Sequence, residues 1–240
     1  MIRGRNHALD GIRGLLALSV LVAHLTPFEA LQVNGRLAAW GFFILSGMVL
    51  APGYDGQYGR FLLRRAVRLL PMYVICVGAA YLLDPHPMAE FFWMPEADPP
   101  AWSLCIEMAA MFFMPLIVWA RTHIGWAALA CIAGLLSGVY VLHQAAFYGS
   151  LFLAGAAMSH LAPRNRLLES PLPQYLGAIS YPLYLSHWVV IAHVPGPLWL
   201  KVVAAFLVAH VLTITVERWS IEASRMVWRP VMPRLGEERR

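Results

Sequence analysis

Apolar residues run in blocks of membrane length along nearly the whole chain, and polar residues gather in short breaks between the blocks. Each block, at about 17 to 25 residues, is long enough to cross a hydrocarbon core of ~30 Å as an α-helix. The pattern predicts eight spans, at residues 9–26, 35–52, 60–83, 102–121, 124–142, 145–162, 173–194 and 197–219. A transmembrane barrel would show short strands of alternating polarity instead. No internal repeat or long linker interrupts the series. The expected fold is all-α: a polytopic transmembrane helix bundle forming one domain over residues 1–240.

Composition agrees with that pattern. Hydrophobic residues make up 60% of the chain and charged ones 13%, with a mean hydropathy of +0.61, whereas a soluble domain carries ~25% charged residues. The net charge of +5 comes from 17 arginines and one lysine, Lys201. These fall between the apolar blocks, so membrane topology explains them and no nucleic-acid partner is expected; membrane lipid is the surroundings. With the N-terminus in the cytoplasm, 16 of the 18 basic residues lie on that side, and Arg36 and Lys201 face away. The longest outward break, DPHPMAEFFWMPEADPPA at residues 84–101, holds four acids and no base. This asymmetry follows the positive-inside rule and places both termini in the cytoplasm. Cys76, Cys105 and Cys131 lie inside apolar blocks without ligand spacing, which indicates neither a disulfide framework nor a metal site. Arg13 and His24 inside the first block, and Pro27 after it, mark a retained helix rather than a signal peptide.

Ionisable residues inside the blocks are the candidate chemistry. In LDGIRGLLALSVLVAHL, residues 9–25, Arg13 and His24 stand eleven residues apart. That is three helical turns, so the two share a face about 16 Å apart, Arg13 near the cytoplasm and His24 in the outer half. Glu107, in AWSLCIEMAAMFFMPL, is expected at the depth of His24, where a carboxylate needs a protein partner. A His24–Glu107 contact would orient the imidazole as a general base. In YGRFLLRRAVRLLPMY, Arg60, Arg64 and Arg68 form one stripe, and Arg65 with Arg68 continues into the apolar run as a candidate anion site. Each feature also has a plainer reading: Arg13 snorkels, His24 packs, and the arginines mark a membrane boundary. Ser46-Gly47 in GFFILSGMVL suggests close helix packing. Tyr184 and His187 in SYPLYLSHWVV fit an interfacial belt.

Taken in order, these motifs resemble the acyltransferase 3 family of integral-membrane O-acyltransferases. LDGIRGLLALSVLVAHL resembles its first helix, with the R-x10-H signature at Arg13 and His24. FFILSG is similar to the second-helix motif, RRAVRLLP to the third, AWSLCIE to the element ending in Glu107, and SYPLYLSH to a late S-Y-x-L-Y-L-x-H element. ERWSIEASRMVWR resembles a degraded closing segment. The resemblance implies transfer of an acyl group, usually acetyl from cytoplasmic acetyl-CoA, to a hydroxyl of an extracytoplasmic or lipid-linked carbohydrate. It implies His24 as the catalytic histidine and Glu107 as its supporting acid. Arg65 and Arg68 would hold the phosphates of coenzyme A, Arg13 would line the donor channel, and Ser46, Tyr184 and His187 would contact substrate. No metal is implied, and the location would be a bacterial inner (cytoplasmic) membrane.

The chain departs from the family in length. Members commonly have about ten spans and more than 300 residues, so this is a shortened member, and Met108 stands where a second acid is usual. The rival reading from another class is a transporter or flippase, because ionisable residues inside a bundle also mark transport paths. Neither inverted repeats nor paired Gly/Pro-broken helices appear to support it.

Overall fold

The computed structural model describes residues 6–26, 29–54, 56–92, 97–125, 132, 144–161 and 163–228, and among these there is no strand. Helix α1 runs over His7–Leu25, α2 over Glu29–Leu50 and α3 over Tyr58–Leu83. Two 3₁₀ turns, Met88–Glu90 and Pro99–Ala101, lead into α4, Trp102–Phe112, and α5, Met114–His123. Then come α6, Gln144–Met158, α7, Pro171–His193, and α8, Leu198–Leu212. A π-helical turn, Thr213–Glu217, joins α8 to α9, Arg218–Trp228. The start of α1 is set by Asn6, whose side-chain oxygen accepts from the N–H groups of Ala8 at 3.1 Å and Leu9 at 3.3 Å.

Among the described residues four helices, His7–Leu25, Leu31–Leu50, Tyr58–Leu83 and Leu198–Val227, are long and apolar enough to cross a membrane, against the eight spans expected for the chain. The expected span at 102–121 is broken: α4 and α5 meet at 61°, and counted as one broken span they bring the total to five. Pro115 explains the break, because it lacks an N–H and its ring collides with the carbonyl one turn back. The expected span at 145–162 contains only the short apolar helix Phe147–Met158. Helix α7 has 23 residues but is not among the apolar ones. Its Ser180, Tyr184, Ser186 and His187 are buried, and the helix packs against α1, α3 and α8, so these side chains need protein partners, not hydrocarbon compatibility. The expected span at 124–142 lies almost wholly outside the described residues.

Small residues let the central helices approach. A Cβ on Gly14 of α1 would overlap the backbone of Leu176 and Gly177 in α7, and one on Gly177 would overlap the backbone of Asp10. Gly47 of α2 and Gly155 of α6 stand in the same relation, each pressed on the other helix's backbone. Around these contacts Phe43, Met72, Tyr73 and Phe152 fill one core, and Leu21, Ile179 and Leu183 a second.

Parts of the break at 84–101 are packed into the bundle. The Tyr73 hydroxyl donates to the Phe91 carbonyl, and Phe91, Ala97, Pro100 and Ala101 are buried. Asp98 is 0% exposed, and among the described residues neither carboxylate oxygen has a hydrogen-bond partner. Burial pushes this carboxyl up to about 8.

Two predictions follow from packing. Gly14→Val should lower the melting temperature in detergent by several degrees, since overpacking costs ~1–3 kcal/mol or more. Gly59→Ala, where a Cβ meets nothing within 4 Å, should not. The folded state holds the Asp98 proton far above the pH at which an unfolded chain releases it. That stabilisation is complete below about pH 4 and is lost as pH rises through about 8. Melting curves should therefore fall with rising pH across this window in the wild type and flatten in Asp98→Asn; equal slopes would exclude Asp98 as the cause.

Candidate active site

His24 stands in the last turn of α1 and His187 in the C-terminal half of α7. His24 Nδ1 lies 3.0 Å from the Val20 carbonyl and 3.0 Å from His187 Nε2. His187 Nδ1 lies 3.0 Å from the Leu183 carbonyl. A carbonyl can only accept, so in the neutral pair His187 carries its proton on Nδ1 and presents Nε2 as an acceptor. His24 then carries its proton on Nδ1, shared between Val20 and His187. The lone pair on His24 Nε2 is left free. Trp188 packs its edge on the His24 ring, with centroids 5.4 Å apart, and His187 is buried.

The expected His24–Glu107 contact is not formed. Glu107 accepts instead from the Ser46 hydroxyl at 2.9 Å. The reason is depth. Because Ala97, Asp98, Pro100 and Ala101 are buried, α4 starts inside the bundle, and Trp102, its first residue, already lines the cavity beside His24. Glu107, five residues on, falls about 7 Å deeper.

The arginines gather at the other end. Arg13, Arg65 and Arg68 interact electrostatically with one another, and Arg13 and Arg65 also with Glu107. Arg13 Nη1 lies 3.9 Å from Asp10, and Arg68 Nη2 donates to Glu217 at 2.7 Å. Arg65 sits over the Phe61 ring, 5.7 Å from its centroid, and its Nε is buried without a hydrogen-bond partner. Sequence reasoning passed over Glu217, although a carboxylate inside the Leu198–Val227 apolar run was a signal. Glu217 closes the π-helical turn, a feature frequent at functional sites.

His24 opens into a cavity of about 790 Å³, whose walls include Gln32, Arg36, Trp102, Tyr184 and Trp188. The Tyr184 hydroxyl is 2.8 Å from Ser103 Oγ, which also donates to the Pro100 carbonyl at 3.2 Å. A second cavity, about 570 Å³, is lined by apolar residues of α1 and α2 with Met158, Leu161 and Pro163, and offers no polar side chain to orient a reacting group. Among the described residues, no group of three His, Cys, Asp or Glu side chains is placed to hold a metal ion.

Compared with known proteins, residues 6–150 match the sequence model of a family described as an acyltransferase domain. No curated protein and no solved structure matches the chain.

The hydrogen-bond pattern predicts one tautomer. NMR of ¹⁵N-histidine-labelled protein at neutral pH should show His24 protonated on Nδ1 with Nε2 unprotonated. His187→Phe should let the Nε2–H form appear. A wild-type His24 already protonated on Nε2 would refute the assignment.

Proposed function

The chain belongs to the acyltransferase 3 family, and from that premise we propose that it transfers an acyl group, acetyl in the first instance, from cytoplasmic acyl-CoA to a hydroxyl of an extracytoplasmic or lipid-linked carbohydrate. One observation carries this reading: His24 presents a free Nε2 lone pair to a cavity while its Nδ1 is tied to Val20 and His187. An imidazole so oriented is a general base with a fixed direction of proton transfer. In this reading the protein keeps eight spans in a bacterial inner membrane, with both termini in the cytoplasm.

In the proposed reaction the acceptor hydroxyl gives its proton to His24 Nε2 as its oxygen attacks the thioester carbonyl carbon. A carbon–oxygen bond forms and the carbon–sulfur bond breaks. Coenzyme A leaves as a thiolate and takes the proton from the imidazolium. Tyr184, in the cavity wall, gives its proton to Ser103 Oγ and would serve the developing oxyanion by exchanging that bond. His187 acts through His24 and is a positioning residue.

The donor's phosphates would meet the inner arginines. Arg65 suits this role, because its buried Nε lacks a partner, whereas Arg68 must share or exchange Glu217 and Arg13 is near Asp10. With Arg64 also in range, four guanidiniums face the three carboxylates Asp10, Glu107 and Glu217, so the cluster keeps an excess of positive charge for a donor's phosphates. Glu107 holds Ser46 and helps balance the arginines; it does not support His24.

The test compares surface glycans by mass spectrometry in cells with the protein, without it, and with His24→Ala. The acetyl mass increment should be absent from both defective strains. In a purified assay His24→Ala should slow acyl transfer by ~10²- to 10⁴-fold. Transfer at the wild-type rate by His24→Ala would overturn the reading.

A further inference from the structure

Arg36 is not explained by topology. It is one of two basic residues on the outward side, where the charge distribution disfavours them. The other, Lys201, donates from Nζ to the Ile191 carbonyl at 2.7 Å and so helps hold the α7–α8 turn. Among the described residues Arg36 makes no ion pair and no hydrogen bond. It is exposed, yet it lines the same cavity as His24.

The surroundings of Arg36 are those of a ligand site. Gly35, beside it, presses on Ala23, beside His24, so the guanidinium and the imidazole project from the closest approach of α1 and α2 at this level. Gln32, one turn before Arg36 on the same helix face, also lines the cavity. Trp102 and Trp188 supply flat apolar faces on which a sugar ring can stack, and Tyr184 a hydroxyl. Among the described residues, no carboxylate shares the cavity wall with Arg36; Asp84 and Glu90 are absent from it. Asp98 is fully buried and is not in the cavity wall, and Glu29, two turns before Arg36, is not in the wall either.

We infer that Arg36 is an anion subsite of this cavity, and that the acceptor is a carbohydrate carrying a carboxylate or a phosphate close to the hydroxyl that is acylated. A planar guanidinium binds either group through paired charge-assisted hydrogen bonds, so the two share one recognition chemistry. The inference rests on the acceptor entering at His24. It adds that charge, not ring shape alone, selects the acceptor.

The test is equilibrium binding of three small probes, glucuronate, glucose 6-phosphate and glucose, to the full chain in detergent, read by saturation-transfer NMR. At least one anionic probe should bind about tenfold or more tightly than glucose, and Arg36→Gln should remove that advantage while leaving glucose unchanged. Arg36→Lys should restore part of it. The ratio between the two anionic probes tells a carboxylate acceptor from a phosphate one. Equal binding of all three probes, no binding of either anionic probe, or an advantage that survives in Arg36→Gln would overturn the inference. Unchanged melting of the exposed Arg36 variants shows that they remain folded. His24→Ala in the same assay separates the two proposals: it should keep the charge preference while acyl transfer is lost. A protein that shows the preference but never releases coenzyme A would sink the acyltransferase reading alone.

Discussion

The contact on which the rest of the site depends is the backbone approach of α1 and α7 at Gly14 and Gly177. Ten residues further along each helix stand His24 and His187, whose ring nitrogens are 3.0 Å apart. Equal spacing on both helices means that they run in the same direction and in register, so the glycine contact sets the histidine contact about 15 Å away. A side chain at either glycine would separate the helices along their length. The proton on His24 Nδ1 would then lose one of its two acceptors, and with it part of the preference that leaves Nε2 free.

Charges inside a bundle follow a second constraint: they must be paired or lose their place there. The arginine cluster meets it through four helices and a turn. Arg13 reaches Asp10 on its own helix, Arg68 reaches Glu217 across the bundle, and Glu107 is held by Ser46. Arg65 has the Phe61 ring and the more distant charge of Glu107, with an unpartnered Nε among the described residues. The cavity beside His24 is built differently, with aromatic walls, one imidazole and one guanidinium that is unpaired among the described residues. The two ends thus differ: the arginine end is laced with ion pairs, and the His24 end offers open surface.

Much of this was readable along the chain. Helical content, the membrane-length blocks, the arginine group of α3 and the placing of Arg13 and His24 on one helix all follow from periodicity and rise per residue. The packing role of Gly47 was also readable, since a small residue between bulky ones predicts close approach. Local pattern misjudged the connections. The segment before α4 has the prolines and acids of a surface loop, yet it folds into the bundle with Asp98 buried, and this drops Glu107 below the level of His24.

The sequence by itself determined an all-helical membrane protein, its family motifs and the identity of the ionisable residues, because hydropathy and helical spacing are properties of a single segment. The tertiary structure alone decided the partners. His24 could have met Glu107 or His187 by residue type; the in-register approach of α1 and α7 selects His187. Arg68 finds Glu217 149 positions away in the chain, through a π-helical turn that no local propensity specified. Pairing between segments depends on depth and rotation, and these are fixed only when the helices pack.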